Sequence, residues 1–205
     1  MEFDYYPTQP TIEQVKKVKQ ASLLTIKTGE YEGGYQIWEG GDDLYKYIST
    51  HLDIFAGKKV LEIGCGQALP SVLLKKHGVD IDVADYNVDV LTITKQNFLL
   101  NDLDCSTMKF IPGDWDTIVE GKYDIIIGGD VTYNPDYHVK LCNLFKRLLN
   151  PNGLIIIASK VVYIGNGGRI FDFFEIMKTY GLEYSYEQVS TSGVVRLIIT
   201  FKYKQ

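Results

Sequence analysis

The sequence predicts an α/β fold: a seven-stranded, mostly parallel sheet with helices on both faces and a C-terminal antiparallel hairpin. Three observations carry this. Short uninterrupted apolar runs, such as Val60–Ile63, Ile125–Ile127 and Leu154–Ala158, alternate with helical stretches, as a parallel sheet covered on both faces requires. The first run closes on Gly64-Cys65-Gly66 immediately before a helix, a ligand-loop arrangement. The last quarter of the chain holds two longer strands, about 182–189 and 194–202, separated only by Ser190-Thr191-Ser192-Gly193.

Taken in order, the first ten residues, with Pro7 and Pro10, read as an arm leading to a helix at about 11–24. Gly29, Gly33, Gly34, Gly40 and Gly41 interrupt a stretch bearing Tyr31, Tyr35 and Trp38, which predicts a loop able to approach a ligand closely. Asp42 is expected to cap a helix over about 43–52. After the first strand come a helix at about 69–77, a strand at Asp80–Ala84, a helix at about 88–101 and a strand at Met108–Ile111. Tyr123–Ile127 is the fourth strand. Asn134-Pro135-Asp136 reads as a helix start, with the helix running to about 149. Asn150-Pro151-Asn152-Gly153 stops it before the fifth strand, and a helix at about 168–180 precedes the hairpin. One domain over 1–205 is expected, with an arm, helices and covering loop over 1–57 and a core over 58–205.

The chain has 205 residues, 45% hydrophobic and 23% charged, a composition that excludes collagen-like, mucin-like and disordered classes. No apolar run approaches the ~20 residues of a membrane span, and Met1-Glu2-Phe3-Asp4 lacks a signal peptide's basic start, so no membrane partner is expected. The net charge of −5 opposes binding to phosphate backbones, and no direct nucleic-acid partner is expected. The lysines of Lys16-Lys17-x-Lys19 are placed on the solvated face of the N-terminal helix. Three scattered cysteines and three dispersed histidines predict neither a disulfide scaffold nor a metal site. A reducing compartment, cytoplasmic or nuclear, is the expected setting.

In an open α/β sheet, ligands sit beyond the carboxyl ends of the strands. Glu62 stands two places before Gly64-x-Gly66, but Leu69 occupies the third-glycine position of a dinucleotide fingerprint, which argues against NAD. An acidic residue before such a turn, in this strand order, resembles the class I S-adenosylmethionine-dependent methyltransferases. Asp85, after the second strand, is placed to accept two ribose hydroxyls. Gly113-Asp114-Trp115, after the third, offers a carboxylate for an adenine amino group and an indole for its face. Trp38 and Glu39 are expected to close the pocket over a methionine moiety. Asn134-Pro135-Asp136-Tyr137 loosely resembles the Asn-Pro-Pro-Tyr motif of adenine methyltransferases, but it lies too far past the fourth strand and is read as a helix start.

Tyr31-Glu32-Gly33-Gly34-Tyr35-Gln36-Ile37-Trp38-Glu39, Asp85-Tyr86-Asn87, Tyr133-Asn134-Pro135-Asp136-Tyr137 and Ala158-Ser159-Lys160, with Tyr163-x-Gly165-x-Gly167-Gly168, resemble the eukaryotic histidine protein methyltransferases in order and spacing. The resemblance implies a Rossmann-like class I fold and an enzyme that N-methylates a protein histidine, the family's known target being a core protein of the large ribosomal subunit. It places S-adenosyl-L-methionine against Ile37, Trp38, Glu39, Gly40, Gly41, Gly64, Asp85, Tyr86, Asn87, Gly113, Asp114, Trp115 and Gly129. Glu62 and Gly66 join these from the strand-end argument. Gly40 stands where the family usually has cysteine, and Gly128-Gly129-Asp130 replaces a Thr-Ser-Glu type triplet.

Asp130 and Tyr133, just past the fourth strand, are the catalytic candidates: the carboxylate to accept an imidazole N–H, the phenol to wall or hydrogen-bond the ring. Residues 159–168 are expected to form the substrate-side rim. A protein-lysine methyltransferase of the same fold and a non-catalytic cofactor-binding module are the alternatives, and a monomer is expected.

Overall fold

The computed structural model describes residues 2–7, 12–19 and 34–205. Two short strands, β1 (Phe3–Tyr6) and β2 (Val15–Val18), pair antiparallel with Phe3 opposite Val18. The helix expected over 11–24 is therefore absent at 12–19, while 11 and 20–24 lie outside the described residues. The reason is tertiary. The amides of Lys16 and Val18 donate to the side chains of Asn101 and Asn97, which a helical segment could not offer them. Lys16 and Lys17 consequently stand on a strand.

Helix α1 (Glu39–Thr50) begins earlier than expected, so Gly40 and Gly41 are helical and Trp38 is the cap position. Asp42 caps nothing; its carboxylate takes the Tyr6 hydroxyl and the Lys46 ammonium. A one-turn helix, α2 (Leu52–Phe55), follows. The core then alternates as expected: β3 (Lys59–Ile63), α3 (Leu69–Lys76), β4 (Asp80–Asp85), α4 (Val88–Leu100), β5 (Phe110–Pro112) and β6 (Tyr123–Gly129). Asn134 caps a 3-10 turn, Pro135–Tyr137, by accepting the Asp136 amide, and α5 (His138–Leu148) starts only after it.

The fifth parallel strand, β7 (Leu149–Lys160), is longer than the Leu154–Ala158 expected. Asn150–Gly153 ends the helix but stays extended, and the pairing with β6 shifts register between Tyr123 and Ile125 to absorb it. Helix α6 (Ile170–Thr179) leads to β8 (Leu182–Gln188) and β9 (Arg196–Tyr203). The sheet order is β5-β4-β3-β6-β7-β9-β8, with the first five parallel and β9 inserted antiparallel between β7 and β8.

Two apolar layers flank this sheet. On one side α1, α3 and α4 cover residues such as Val60, Ile81, Val83 and Ile127; on the other α5 and α6 cover Leu61, Ile63, Ile126 and Ile157. Fully burying one such side chain contributes roughly 1.5–3 kcal/mol. The order in which strands are added to the sheet reverses between the parallel neighbours β3 and β6, which opens a crevice beyond their carboxyl ends.

Candidate functional site

A cavity of about 400 Å³ occupies that crevice. It is within the range of small-molecule sites. Its floor is the turn after β3. Gly64 and Gly66 hold φ of +56° and +51°, and a Cβ on Gly66 would come within 3.0 Å of the Gly34 carbonyl. Only glycine meets both demands. Side chains of α4 clamp the turn from behind: Thr94 donates to the Gly66 carbonyl and Asn97 to that of Gln67.

Two carboxylates face the cavity from the ends of β3 and β4. Glu62 is buried and takes both the amide and hydroxyl of Ser71, at the start of α3. Burial pushes its pKa up to about 8, against the pull of those two bonds. Asp85, also buried, accepts the Gly66 amide at 2.9 Å and the Asn87 amide at 3.0 Å. Burial raises its pKa too, more than these amides lower it. No lysine or arginine pairs with either carboxylate among the described residues.

Gly113, Asp114 and Trp115 form the next wall. Asp114 receives the Asp116 amide and the Lys140 ammonium, the latter at 2.7 Å; these outweigh burial and hold its pKa below the usual range. Trp115 is half-buried and meets the Tyr137 ring edge-on. Ile37 and the exposed Trp38 close the opposite side with Gly41, while the exposed Tyr86 stands at the rim.

Three expected cofactor contacts do not line the cavity: Glu39, Gly40 and Asn87. Glu39 turns outward to an ion network, bridging Lys160 at 2.9 Å and Arg196 at 3.3 Å. Asn87 spends its side chain capping α4 through the Asp89 amide. Gly40 serves the framework, as does the cavity-lining Gly129. A Cβ on Gly40 would lie 2.7 Å from the Asp130 backbone nitrogen, and one on Gly129 2.7 Å from that of Gly41. The pair lets α1 abut the tip of β6, and a methyl at either position would cost roughly 1–3 kcal/mol in overpacking.

The far wall holds the catalytic candidates. Asp130 has a left-handed φ of +54°, uncommon for a residue with a side chain. Its two oxygens accept the Gly40 amide and the Tyr163 hydroxyl, each at 2.7 Å. Tyr133 lines the same wall and packs edge-on against Tyr137. Lys160, Tyr163 and Asn166 complete it, which puts part of the expected 159–168 rim on the cavity. Beyond them Val162 and Ile164 are exposed, as are Val194 and Val195, and the Val161 amide bonds the Val195 carbonyl. Lys140, Tyr137 and Asn166 were not singled out from sequence for this cavity. Tyr137 and Lys140 lie one and two turns into a helix start that could have been read as a wall facing Trp115.

Among the described residues no group of three or more histidine, cysteine or acidic side chains is placed to hold a metal ion, and no helix is long and apolar enough to cross a membrane.

The family model for "Lysine methyltransferase" matches residues 18–179. The chain is 40% identical over 155 residues to the histidine protein methyltransferase 1 homolog of Dictyostelium discoideum, covering 73% of this chain and 50% of that protein. It is 34% identical over 225 residues to the Bos taurus protein of the same name, covering 89% and 59%. The chain thus spans about half the length of these relatives. Among solved structures, a TehB-like SAM-dependent methyltransferase from Corynebacterium glutamicum superposes with a TM-score of 0.62 at 24% identity, over 79% of this chain and 88% of that one. That likeness shows the fold.

Proposed function

The chain belongs to the lysine methyltransferase family, and from that premise we propose that it uses S-adenosyl-L-methionine to N-methylate a protein side chain, with histidine as the acceptor. The observation that carries the reading is one cavity with two unlike ends: buried carboxylates with no cation against them among the described residues at one, and a tethered carboxylate among tyrosines at the other.

The first end fits the cofactor. Glu62 and Asp85 are buried acids that a ligand's positive charge would compensate, and a cationic amino acid joined to a nucleoside brings that charge together with ribose hydroxyls and a base. Asp85 retains lone pairs for the hydroxyls, and Trp115 offers its face to the base. When bound, S-adenosylmethionine supplies a methyl group made electrophilic by its sulfonium.

The second end prepares the nucleophile. A lysine of pKa ~10.4 must first lose a proton, at about 4–5 kcal/mol near neutral pH; a histidine of pKa ~6.5 is already mostly neutral. An imidazole needs only the right tautomer and an acceptor for its second N–H. Asp130 accepts that N–H while the other ring nitrogen takes the methyl, and its charge faces the positive charge arriving on the ring. The proton passes to water afterwards, leaving a neutral methylated ring. Tyr133 and Tyr137 wall the ring. The 159–168 segment, with Val162 and Ile164, receives the protein around the acceptor, and a large-subunit ribosomal protein is the proposed substrate.

Incubation with methyl-tritiated S-adenosylmethionine and cell extract, followed by hydrolysis and amino-acid analysis, tests this. Methylhistidine is expected. Methyllysine would move the chain to the lysine-modifying activity its family is named for, and absence of transfer would reduce it to a cofactor binder.

A further inference from the structure

We propose that Tyr163 is a positioning residue for Asp130: through its hydroxyl, the loop that receives the substrate sets the carboxylate that meets the acceptor. This rests on the function proposed above and adds a residue to its machinery.

The geometry is specific. The Tyr163 oxygen donates to Asp130 Oδ1 at 2.7 Å, accepts the Lys160 amide at 3.2 Å and lies 3.2 Å from Ser159 Oγ. Ser159 Oγ is in turn 2.7 Å from Thr132 Oγ1, and the Thr132 carbonyl is 3.0 Å from His138 Nε2. A carboxylate oxygen only accepts, so the phenol has its single proton committed to Asp130. Burial and the neighbouring Asp130 push its pKa up, so it acts as a donor and not as a base.

Tyr163 is itself held from two sides. Its amide donates to the Gly168 carbonyl at 2.8 Å, and the Gly168 amide donates to the Tyr133 carbonyl at 3.0 Å. A Cβ on Gly168 would lie 2.4 Å from that carbonyl oxygen, so the loop must sit flush on the turn after β6. The left-handed backbone of Asp130 is a sparsely populated conformation that persists only where surrounding contacts hold the residue. Gly40, from the helix that follows Trp38, holds one oxygen, and Tyr163 holds the other. With both donors in place, the remaining lone pairs face the cavity.

The experiment compares wild type, Tyr163→Phe, Asp130→Asn and the double variant. Rates of tritium transfer to cell-extract protein are measured at limiting and saturating extract. Alongside are taken the affinity for S-adenosylhomocysteine and the Gly40 amide NMR signal, with Ile164→Ala as the signal's control. Tyr163→Phe is expected to cut the saturated rate about tenfold, to leave homocysteine-product affinity within twofold, and to shift the Gly40 resonance where Ile164→Ala does not. The double variant should be no slower than Asp130→Asn. Wild-type rate in Tyr163→Phe, an unmoved Gly40 signal, or losses that multiply in the double variant would overturn the assignment of Tyr163 alone. Wild-type rate in Asp130→Asn would overturn the catalytic reading beneath it. Should Tyr163→Phe melt too low to assay, Ser159→Ala, which loosens the phenol from the other side, is expected to shift the same Gly40 signal; an unmoved signal there counts against the proposal.

Discussion

The two ends of the cavity hold their carboxylates differently. At the β3 and β4 ends, Asp85 is fixed by amides 19 and 2 residues away, and Glu62 by a serine 9 residues away. At the β6 end, Asp130 is fixed by an amide 90 residues away and a phenol 33 residues away. The first end is assembled from neighbouring turns and is largely preset by the sheet. The second exists only where α1, the β6 turn and the loop after β7 meet. A common ligand suits the preset end, and a variable protein partner suits the assembled one.

The largest expected effect breaks the preset end. Asp85→Ala removes a charged acceptor worth roughly 1.5–3 kcal/mol per bond, which is a loss of about ten- to more than a hundredfold in S-adenosylmethionine affinity by calorimetry. A loss under threefold would remove Asp85 from the cofactor site.

A second prediction sharpens the contrast through pH. Glu62 is more basic when folded, at about 8, than an ordinary carboxyl near 4.5, so the folded state binds the extra proton between these values. Stability is therefore fully present below pH 4.5 and falls as pH rises toward 8, by at most about 1.4 kcal/mol per unit. Urea unfolding of Glu62→Gln, compared with wild type without cofactor, should show a flatter decline across this window. Cofactor affinity of the wild type should rise over the same range as Glu62 ionises. Parallel stability curves for the two proteins would show that Glu62 does not carry this proton.

The smallest effect belongs to the assembled end. Replacing Val162 and Ile164 by alanine should raise KM for the protein acceptor a few-fold, because Ile164 is 87% exposed and has little folded-state packing to lose. Cofactor affinity should not change. A melting temperature lowered along with both constants would mark the pair as structural.

The same contrast explains what could be read in advance. Strand runs, the glycine turn and Asp85 are local features, and sequence spacing places them on one sheet edge. The start of α1 lies earlier than expected because Gly40 and Gly41 read as loop formers, while the contact that requires Gly40, the tip of β6, lies 90 residues on. Val15–Val18 carried no visible strand signal, since the partners of Lys16 and Val18 are asparagine side chains 85 and 79 residues away. Glu39 and Asn87 were drawn toward the ligand by the family pattern, but ion pairing and helix capping take their side chains elsewhere. Tyr163 belonged to a recognisable segment, yet its hydroxyl's target could not be inferred without the fold.

Asn97 has a consequence for how the molecule comes apart. One amide group holds the glycine turn through Gln67 and the N-terminal strand pair through Val18. A two-stranded pair is marginal by itself in water. It can therefore detach as a separate cooperative unit, with early amide exchange at Asp4 and Lys17, while the central sheet stays closed. When it does, Asn97 loses one partner and keeps the other. The first ångströms of unfolding then begin at the chain's start and stop short of the nucleotide floor.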